Sequence, residues 1–342
     1  MRQAGSAMAY TVRFSDATEI QVGPDEAVLD AALRQGVSLP YGCRSGLCGT
    51  CKAPLRAGEI AYPEGQPKAL DSAEQASGMA LLCQARPRSD LAIDTEPLEE
   101  ALAAPRVLPA RVARLERLAP AVCRLFLRLP AGKRLPFRPG QYIDILLGDG
   151  ERRSFSLANS PLQDERLELH IRHIPGGRLT DHVFEGMAEG ELLRIEGPLG
   201  QLYLREDSSR PALLVGGSTG FGPLKGILEH ALASGDRRTF HLYWGSRDRA
   251  GLYLHELAQG WARESGRVTY TPVLSEPRPE DGWHGRTGWV HEAVLADFPD
   301  LSGFDVYMSG PPPMTDAARS AFLGHGLDPE RLFYDAFHFS HE

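Results

Sequence analysis

Long apolar stretches and long basic runs are both missing from this chain of 342 residues. No segment has 18 or more consecutive apolar residues, so the sequence predicts no membrane-spanning helix. Lys and Arg number 37 against 45 Asp and Glu, and no basic cluster argues for nucleic acid as a partner. The opening stretch MRQAGSAMAYTVRF lacks the apolar core of a secretory signal, so we expect a cytoplasmic protein.

Cysteine is scarce, and its distribution is uneven. Four of the five cysteines lie in the first hundred residues: Cys43, Cys48, Cys51 and Cys83. In a reducing compartment, such a group holds a metal more often than it forms disulfides. Cys123 lies in the alternating segment AVCRLFLRL, so we interpret it as a small, buried apolar residue.

Three segments follow one another along the chain, without internal repeats or low-complexity tracts. Residues 8–98 contain the cysteine loop, and a proline-bounded linker follows them. Residues 107–209 hold short alternating strands with Gly and Pro turns, which predict a small antiparallel barrel. Residues 210–342 alternate apolar strands with helical patterns, which predicts an α/β domain with a parallel sheet.

The cysteines have the spacing C-x4-C-x2-C, followed after 31 residues by a fourth. This is the spacing of plant-type [2Fe–2S] proteins, in which four thiolates hold two irons. Glycines in the loop YGCRSGLCGTCK allow backbone N–H groups to turn towards the sulfur atoms. Zinc is the alternative, but zinc sites usually show paired short spacings such as CxxC…CxxC.

Two further segments predict a flavin site. In RRSFSLANSP, Arg153 can neutralise a pyrophosphate, Phe155 can cover a flavin face and Ser156 can reach the flavin N5. In HIRHIPGGRLTDHVF, the glycine that opens a helix offers free N–H donors to phosphate oxygens. A plain strand is the alternative for the first segment. We predict no metal at His170 and His173, which fit polar positions on a strand.

The segment LLVGGSTGFGPLKGIL predicts a pyrophosphate site, because a buried strand runs through small residues into a helix. It lacks the G-x-G-x-x-G fingerprint, so a purely structural turn is the alternative. The segment YMSGPPPM ends another strand. Carboxyl ends of parallel strands meet at one crevice, so both segments are expected at the same ligand.

These motifs, in this order, resemble those of ferredoxin–NADP reductase-type modules. With the N-terminal plant-type ferredoxin segment, the chain is similar to reductase components of phenol, methane and aromatic-ring oxygenases. The fuller resemblance is to the CDP-6-deoxy-Δ3,4-glucoseen reductase-like group, through stretches such as ELHIRHIPGG, PLGQLYLREDS and LYWGSR. It covers roughly residues 8–337. It implies a β-grasp ferredoxin domain, an antiparallel flavin barrel and a nucleotide-binding α/β domain.

The resemblance also implies which residues serve each cofactor. The four clustered cysteines ligate the [2Fe–2S] cluster. Those implied along the FAD segment are Arg153, Phe155, Ser156, Leu157, His170, Arg172, Gly177, Leu179 and Thr180. Those implied for the nicotinamide dinucleotide are Gly217, Ser218, Thr219, Gly220, Ser246, Arg247, Gly310 and Pro311. Those implied for catalysis are Ser156, Ser309, Asp335 and Phe337. Ser309 stands where the family usually has a Cys, which puts thiol assistance in doubt.

The implied path runs from NAD(P)H to FAD, then to the cluster, then to a partner protein. Nicotinamide delivers two electrons and the cluster accepts one, so the flavin must lie between them. The partner is either a CDP-sugar dehydratase or the terminal component of a mono- or dioxygenase, and the sequence leaves both open. A redox sensor without turnover is disfavoured, because a sensor needs no nicotinamide site.

Two charge patterns predict preferences. NADH is expected over NADPH, because Asp248 between Arg247 and Arg249 would oppose a 2′-phosphate. We also expect a basic rim around the cluster that docks an acidic partner. The residues of this expected rim are Arg44, Lys52, Arg56, Arg86 and Arg88.

Overall fold

The computed structural model describes residues 9–98, 102–148, 150–163 and 165–338. The chain divides into two compact units, Met1–Pro105 and Arg106–Glu342. The predicted flavin and nucleotide segments fall together in the second unit, and the boundaries 8–98, 107–209 and 210–342 remain predictions. Among the described helices, none combines the length and the apolar character needed to cross a bilayer.

The first unit has the β-grasp arrangement predicted for it. A five-stranded sheet runs in the order β2-β1-β7-β3-β5, with β1 antiparallel to β2 and parallel to β7, and β4 pairs with β6. Helix α1 buries its apolar residues and contacts β2. The elements are β1 Tyr10–Arg13, β2 Glu19–Val22, α1 Val28–Arg34, β3 Lys52–Ala57, β4 Ile60–Ala61, α2 Ser72–Ala76, β5 Met79–Leu81, β6 Arg86–Pro87 and β7 Leu91–Ile93.

The flavin segment forms an antiparallel sheet of six strands in the order β11-β10-β13-β8-β9-β12. The predicted barrel does not close through a continuous ladder: in the described residues, the two edges of the sheet meet at one bridge, between Leu157, which follows β11, and Leu169 of β12. One face of the sheet encloses an apolar core that includes Cys123, as predicted. The elements are β8 Arg106–Ala119, β9 Val122–Arg128, β10 Tyr142–Leu146, β11 Arg152–Ser156, β12 Leu167–Arg172, α3 Arg178–Glu185 and β13 Leu192–Leu199.

The nucleotide segment forms the predicted parallel sheet, in the order β17-β16-β15-β14-β18-β19. Two apolar cores, one built around α4 and α5 and one around α6 and α7, cover its two faces. The elements are β14 Ala212–Gly217, α4 Phe221–Ala233, β15 Phe240–Ser246, α5 His255–Glu264, β16 Val268–Leu274, β17 Arg286–Thr287, α6 Val290–Asp297, β18 Asp305–Gly310, α7 Pro312–Gly324 and β19 Leu332–Ala336.

The order of the strands determines where a ligand can bind. Strands β14 and β18 are neighbours in the sheet. The connection after β14 leads to β15 on one side, and the connection after β18 leads to β19 on the other side. Such a switch point opens a crevice at the carboxyl edge of a parallel sheet. Gly217 ends β14 here and Gly310 ends β18, so the two predicted nucleotide segments lie at the same crevice.

Candidate cofactor sites

The four predicted cluster ligands come together in the first unit. Cys43, Cys48 and Cys51 lie on the irregular loop between α1 and β3, and Cys83 follows β5. Amide donors already point at sulfur, since the Cys43 N–H lies 3.4 Å from the Cys48 Sγ and the Cys48 N–H lies 3.3 Å from the Cys43 Sγ. A Cβ on Gly42 would lie 3.2 Å from the Cys48 Sγ, so the loop packs closely around the sulfur atoms.

The thiols fall into two pairs. A hydrogen bond with Cys48 lowers the pKa of Cys43 to about 4, and the same bond raises the pKa of Cys48. A hydrogen bond between Cys51 and Cys83 acts in the same way, because it raises the pKa of Cys51 and lowers the pKa of Cys83. Two pairs of adjacent sulfurs with converging amides fit a group of two irons held by four thiolates, so these cysteines would hold the [2Fe–2S] cluster.

The cations of the expected basic rim are engaged by carboxylates or backbone carbonyls, and the docking of an acidic partner at this rim stays a prediction. Arg44 pairs with Asp30 at 2.7 Å, and its side chain is only 9% exposed. Arg88 donates to the carbonyl of Pro24. The remaining pairs are Lys52 with Glu74, Arg56 with Asp94 and Arg86 with Glu64.

The predicted flavin residues lie at the end of β11. Arg153 is held by its bonds to the Glu151 carboxylate at 3.0 Å and to the Arg152 carbonyl at 3.0 Å. Ser156 is partly exposed, whereas Leu157 is fully buried in the core of the sheet. A contact from Leu157 to a flavin could therefore come only from its backbone. The same holds for the buried Leu179 in the first turn of α3.

The turn that opens α3 is compact. The Thr180 hydroxyl donates to the Ile174 carbonyl at 2.8 Å and is also within 3.0 Å of the Gly177 carbonyl. A Cβ on Gly177 would lie 2.6 Å from the Thr180 Oγ1, so only glycine fits. This turn brings the first amides of α3 together at a helix N-terminus, where a phosphate would be favoured.

The predicted nucleotide turn connects β14 to α4 and lies against β18. A Cβ on Gly220 would lie 2.0 Å from the Ser309 carbonyl oxygen, and one on Gly217 would lie 2.4 Å from the Met314 sulfur. The Ser218 carbonyl accepts a bond from the Trp244 indole at 2.9 Å. The N-cap position of α4 has no side-chain hydrogen bond, and the Phe221 N–H donates to the Ser218 carbonyl of the preceding turn. The helical segment therefore starts at the Ser218 end of this turn, where a phosphate would be favoured.

The residues predicted to contact the nicotinamide lie on the paired strands β18 and β19 and directly after them. Ser309 pairs in register with Asp335, and both are buried. The Phe337 N–H donates to the Gly310 carbonyl at 2.8 Å, which holds the backbone of this partly buried residue next to Gly310. Within the described part of the chain, the Ser309 hydroxyl has no hydrogen-bond partner, although it is fully buried. A buried, unused hydroxyl at this crevice fits a polar ligand group.

Two of the predicted cofactor residues are arginines, and they come from the two different sheets of the second unit. Arg172 ends β12 and Arg247 follows β15. Burial and the nearby charge of Arg247 lower the pKa of Arg172. Neither guanidinium pairs with a carboxylate among the residues described, so the pair favours an anion such as a phosphate. The backbone carbonyl of Ser246, next to Arg247, accepts a hydrogen bond from the Ser275 N–H.

Sequence reasoning missed a buried polar network between β12 and α4. His170 bonds Glu168 at 2.9 Å and the Tyr253 hydroxyl at 2.9 Å, so protein groups occupy both of its ring nitrogens. Lys225 bonds Glu168 as well. The signal that could have revealed it is the single Lys inside the apolar segment PLKGIL. Burial lowers the pKa of His170 despite the carboxylate beside it.

Three family profiles match successive parts of the chain. The 2Fe-2S iron-sulfur cluster binding domain matches residues 14–88. The oxidoreductase FAD-binding domain matches residues 109–203, and the oxidoreductase NAD-binding domain matches residues 214–320. The order of cofactor domains predicted from the motifs is thereby confirmed.

Curated relatives match over nearly the full length. CDP-6-deoxy-L-threo-D-glycero-4-hexulose-3-dehydrase reductase of Yersinia pestis is 37% identical over 311 residues, 91% of this chain and 92% of the relative. Phenol hydroxylase P5 protein of Acinetobacter pittii is 37% identical over 322 residues, 92% of this chain and 91% of the relative. Among solved structures, the Amycolatopsis cytochrome P450 reductase GcoB has a TM-score of 0.85 at 35% identity, covering 96% of this chain and 98% of that one.

Domain order, fold and similarity together define an oxidoreductase with iron–sulfur, flavin and nicotinamide-nucleotide domains. The chain belongs to the ferredoxin-fused family of ferredoxin–NADP reductase-type reductases, which includes the dehydrase reductases and the oxygenase reductase components.

Proposed function

We propose that this chain oxidises NADH and delivers the electrons one at a time to a CDP-sugar dehydratase. The observation that carries the proposal is the presence in one chain of a dinucleotide turn, a flavin strand and a four-cysteine loop. When bound, FAD accepts two electrons as a hydride and releases them singly, which matches nicotinamide to a one-electron cluster.

The residues of this chain have separate tasks in that transfer. Arg153 would neutralise the FAD pyrophosphate, and Ser156 would offer its hydroxyl to the flavin N5. Ser309 and Asp335 would hold the nicotinamide ring at the carboxyl edge of the parallel sheet, where their buried side chains meet no bulk water. Phe337 would cover the flavin and so limit the access of oxygen and water.

The partner is proposed from the dehydrase reductase of Yersinia pestis, which this chain matches at 37% identity over nearly its full length. An oxygenase component is the second candidate. The phenol hydroxylase P5 protein matches at the same identity, and the P450 reductase GcoB has a similar fold over 96% of this chain. Both partners need a strong one-electron donor, and plant-type clusters near −400 mV supply one.

A direct test adds acceptors to the reduced protein. The protein is reduced anaerobically with NADH, and a CDP-sugar dehydrase with its substrate or an oxygenase component is then added. We expect the dehydrase to reoxidise the cluster faster, as followed by its visible absorbance. Faster reoxidation by an oxygenase component would make the second candidate correct. Failure of both acceptors would reject the proposed role.

The preference for NADH has its own support and test. Asp248 lies between two arginines, and Arg249 is directed to the Asp281 carbonyl. However, Asp248 also pairs with Arg278, which balances part of its charge. We therefore expect a moderate preference, with kcat/KM about tenfold higher for NADH, or about 1.4 kcal/mol. A kcat/KM that is higher for NADPH would overturn this preference.

A further inference from the structure

A buried lysine connects the nucleotide half of the second unit directly to the flavin strand. Lys225 of α4 is 4% exposed. Its ammonium donates to the Ala158 carbonyl at 3.0 Å, to the Glu168 carboxylate at 3.1 Å and to the Glu229 carboxylate at 2.9 Å. These three bonds use all three of its N–H donors. Ala158 follows Ser156 by two residues, so the contact lies next to the proposed flavin site.

The ammonium is also the most buried of the charges that balance this site, to which Arg124 contributes from 3.8 Å away at Glu168. Glu168 and Glu229 are both mostly buried. Burial acts to raise the pKa of Glu168, but bonds from His170 and Lys225 outweigh it and hold that pKa below its usual value. Burial raises the pKa of Glu229. A buried charge without a partner is strongly unfavourable, so the lysine and the two carboxylates must stay together. The contact between α4 and the flavin strand is therefore held in one arrangement.

The residue after the lysine lets the helix approach the backbone. A Cβ on Gly226 would lie 3.1 Å from the carbonyl oxygens of both Leu157 and Asn159. The helix thus lies directly on the chain that leaves β11. Since α4 begins immediately after the Gly217–Gly220 turn, the same rigid helix links the nucleotide turn to Ser156.

We propose that Lys225 is a positioning residue for hydride transfer, setting the distance between the proposed nicotinamide and flavin sites. This inference rests on the proposed function. In the positioned step, the C4–H bond of dihydronicotinamide breaks, and the hydrogen passes with its electron pair to the flavin N5, leaving NAD⁺. Such a transfer is sensitive to displacements of about 1 Å, which can lower the rate by about a hundredfold.

The test compares Lys225→Met/Glu229→Gln with Glu229→Gln alone. The double variant removes one positive and one negative charge, so it leaves no additional uncompensated carboxylate. The single variant is the matched control, because it keeps the bonds of Lys225 to Ala158 and Glu168. Stopped-flow absorbance at saturating NADH gives the hydride-transfer rate constant per bound FAD. Amide hydrogen exchange at Leu157 and Ala158 in the FAD-free protein gives a readout independent of activity.

For the double variant, we expect a rate constant lower by about tenfold or more, a dissociation constant for NADH within about threefold, and faster amide exchange at both positions. Glu229→Gln should stay close to the wild type in all three. An unchanged rate constant per bound FAD in the double variant would overturn the proposal, even if its melting temperature falls. Equal loss in both variants would overturn it too. If the proposed function itself fails, NADH will not reduce the wild type.

Gly226→Ala provides a second variant with no change of charge. The added methyl group must push the backbone around Ala158 away by a few tenths of an ångström. We expect a lower hydride-transfer rate constant, with full FAD content, for this variant as well. A wild-type rate constant together with a displaced amide-exchange pattern at Leu157 and Ala158 would show that the distance is not set here, and would contradict the proposal.

Discussion

Ser309 is the position at which this chain departs from the pattern of the family, since a hydroxyl stands where a thiol is usual. Among the described residues its Oγ has no hydrogen-bond partner, although the residue is fully buried. An unsatisfied buried hydroxyl costs about 1–3 kcal/mol of stability, and the proposed role of Ser309 is to offer this hydroxyl to the nicotinamide.

Ser309→Ala should therefore separate stability from function. We expect the ligand-free protein to be as stable as the wild type, or more stable by about 1 kcal/mol, because a desolvated hydroxyl is lost. Hydride transfer from NADH to FAD should slow severalfold. Chemical unfolding and stopped-flow reduction measure the two effects. A variant with wild-type hydride transfer would show that this hydroxyl does not act on the nicotinamide.

At the level of single residues, the sequence revealed the site residues that occur at a characteristic spacing, above all the four cysteines. It did not reveal Lys225, Glu168 and Tyr253, because their contacts join segments far apart in the chain. The ion pairs made by the cations near the cysteines were not evident from the sequence, for a related reason. The carboxylate that pairs with Arg44 belongs to Asp30, on the preceding helix, and no local sequence pattern predicts that contact.

At the level of elements, the apolar composition of the segments VTYTPVL and DVYMSG predicts two strands of the parallel sheet, and β16 and β18 cover the same residues. The short strand β17 and the outer strand β19 were missed. Two residues cannot show a period, and β19 is only partly buried, so its apolar signal is weak. The flavin segment shows alternation in each strand, but alternation does not determine whether a sheet closes into a barrel.

The turn between β14 and α4 supports a prediction with an internal control. Gly220→Ala places a methyl group 2.0 Å from the Ser309 carbonyl, whereas Gly222→Ala meets only ordinary contacts of 3.5 Å or more. We expect the first variant to lose about 1–3 kcal/mol of stability from overpacking, together with most of its affinity for NAD⁺. The second should stay within about 1 kcal/mol of the wild type. Calorimetry and nucleotide titration test both.

If Gly220→Ala bound NAD⁺ with wild-type affinity, the close approach of this turn to β18 would have no role in nucleotide binding. Comparable losses in both variants would point instead to a general sensitivity of the start of α4.

At the level of the whole molecule, the division into two compact units separates the cluster ligands from the flavin and nucleotide residues. Compact units with their own cores fold independently in many proteins. We expect a fragment comprising residues 106–342 to fold, bind FAD and reduce ferricyanide with NADH, since small acceptors can take electrons from the flavin. The same fragment should lack the visible bands of the cluster. A fragment that is unfolded by circular dichroism would refute the independence of this unit.

The order of electron transfer is the central claim, and anaerobic stopped-flow absorbance of the wild type beside Cys48→Ser tests it most directly. Mixing the wild type with NADH should bleach the flavin first and the cluster afterwards. Cys48→Ser should show only flavin bleaching, at nearly the wild-type rate, because its incomplete ligand set cannot hold the cluster. Cys123→Ser is the matched control and should behave like the wild type, since Cys123 lies in the core of the flavin sheet. Reduction of the cluster before the flavin, or a normal cluster in Cys48→Ser, would contradict the account.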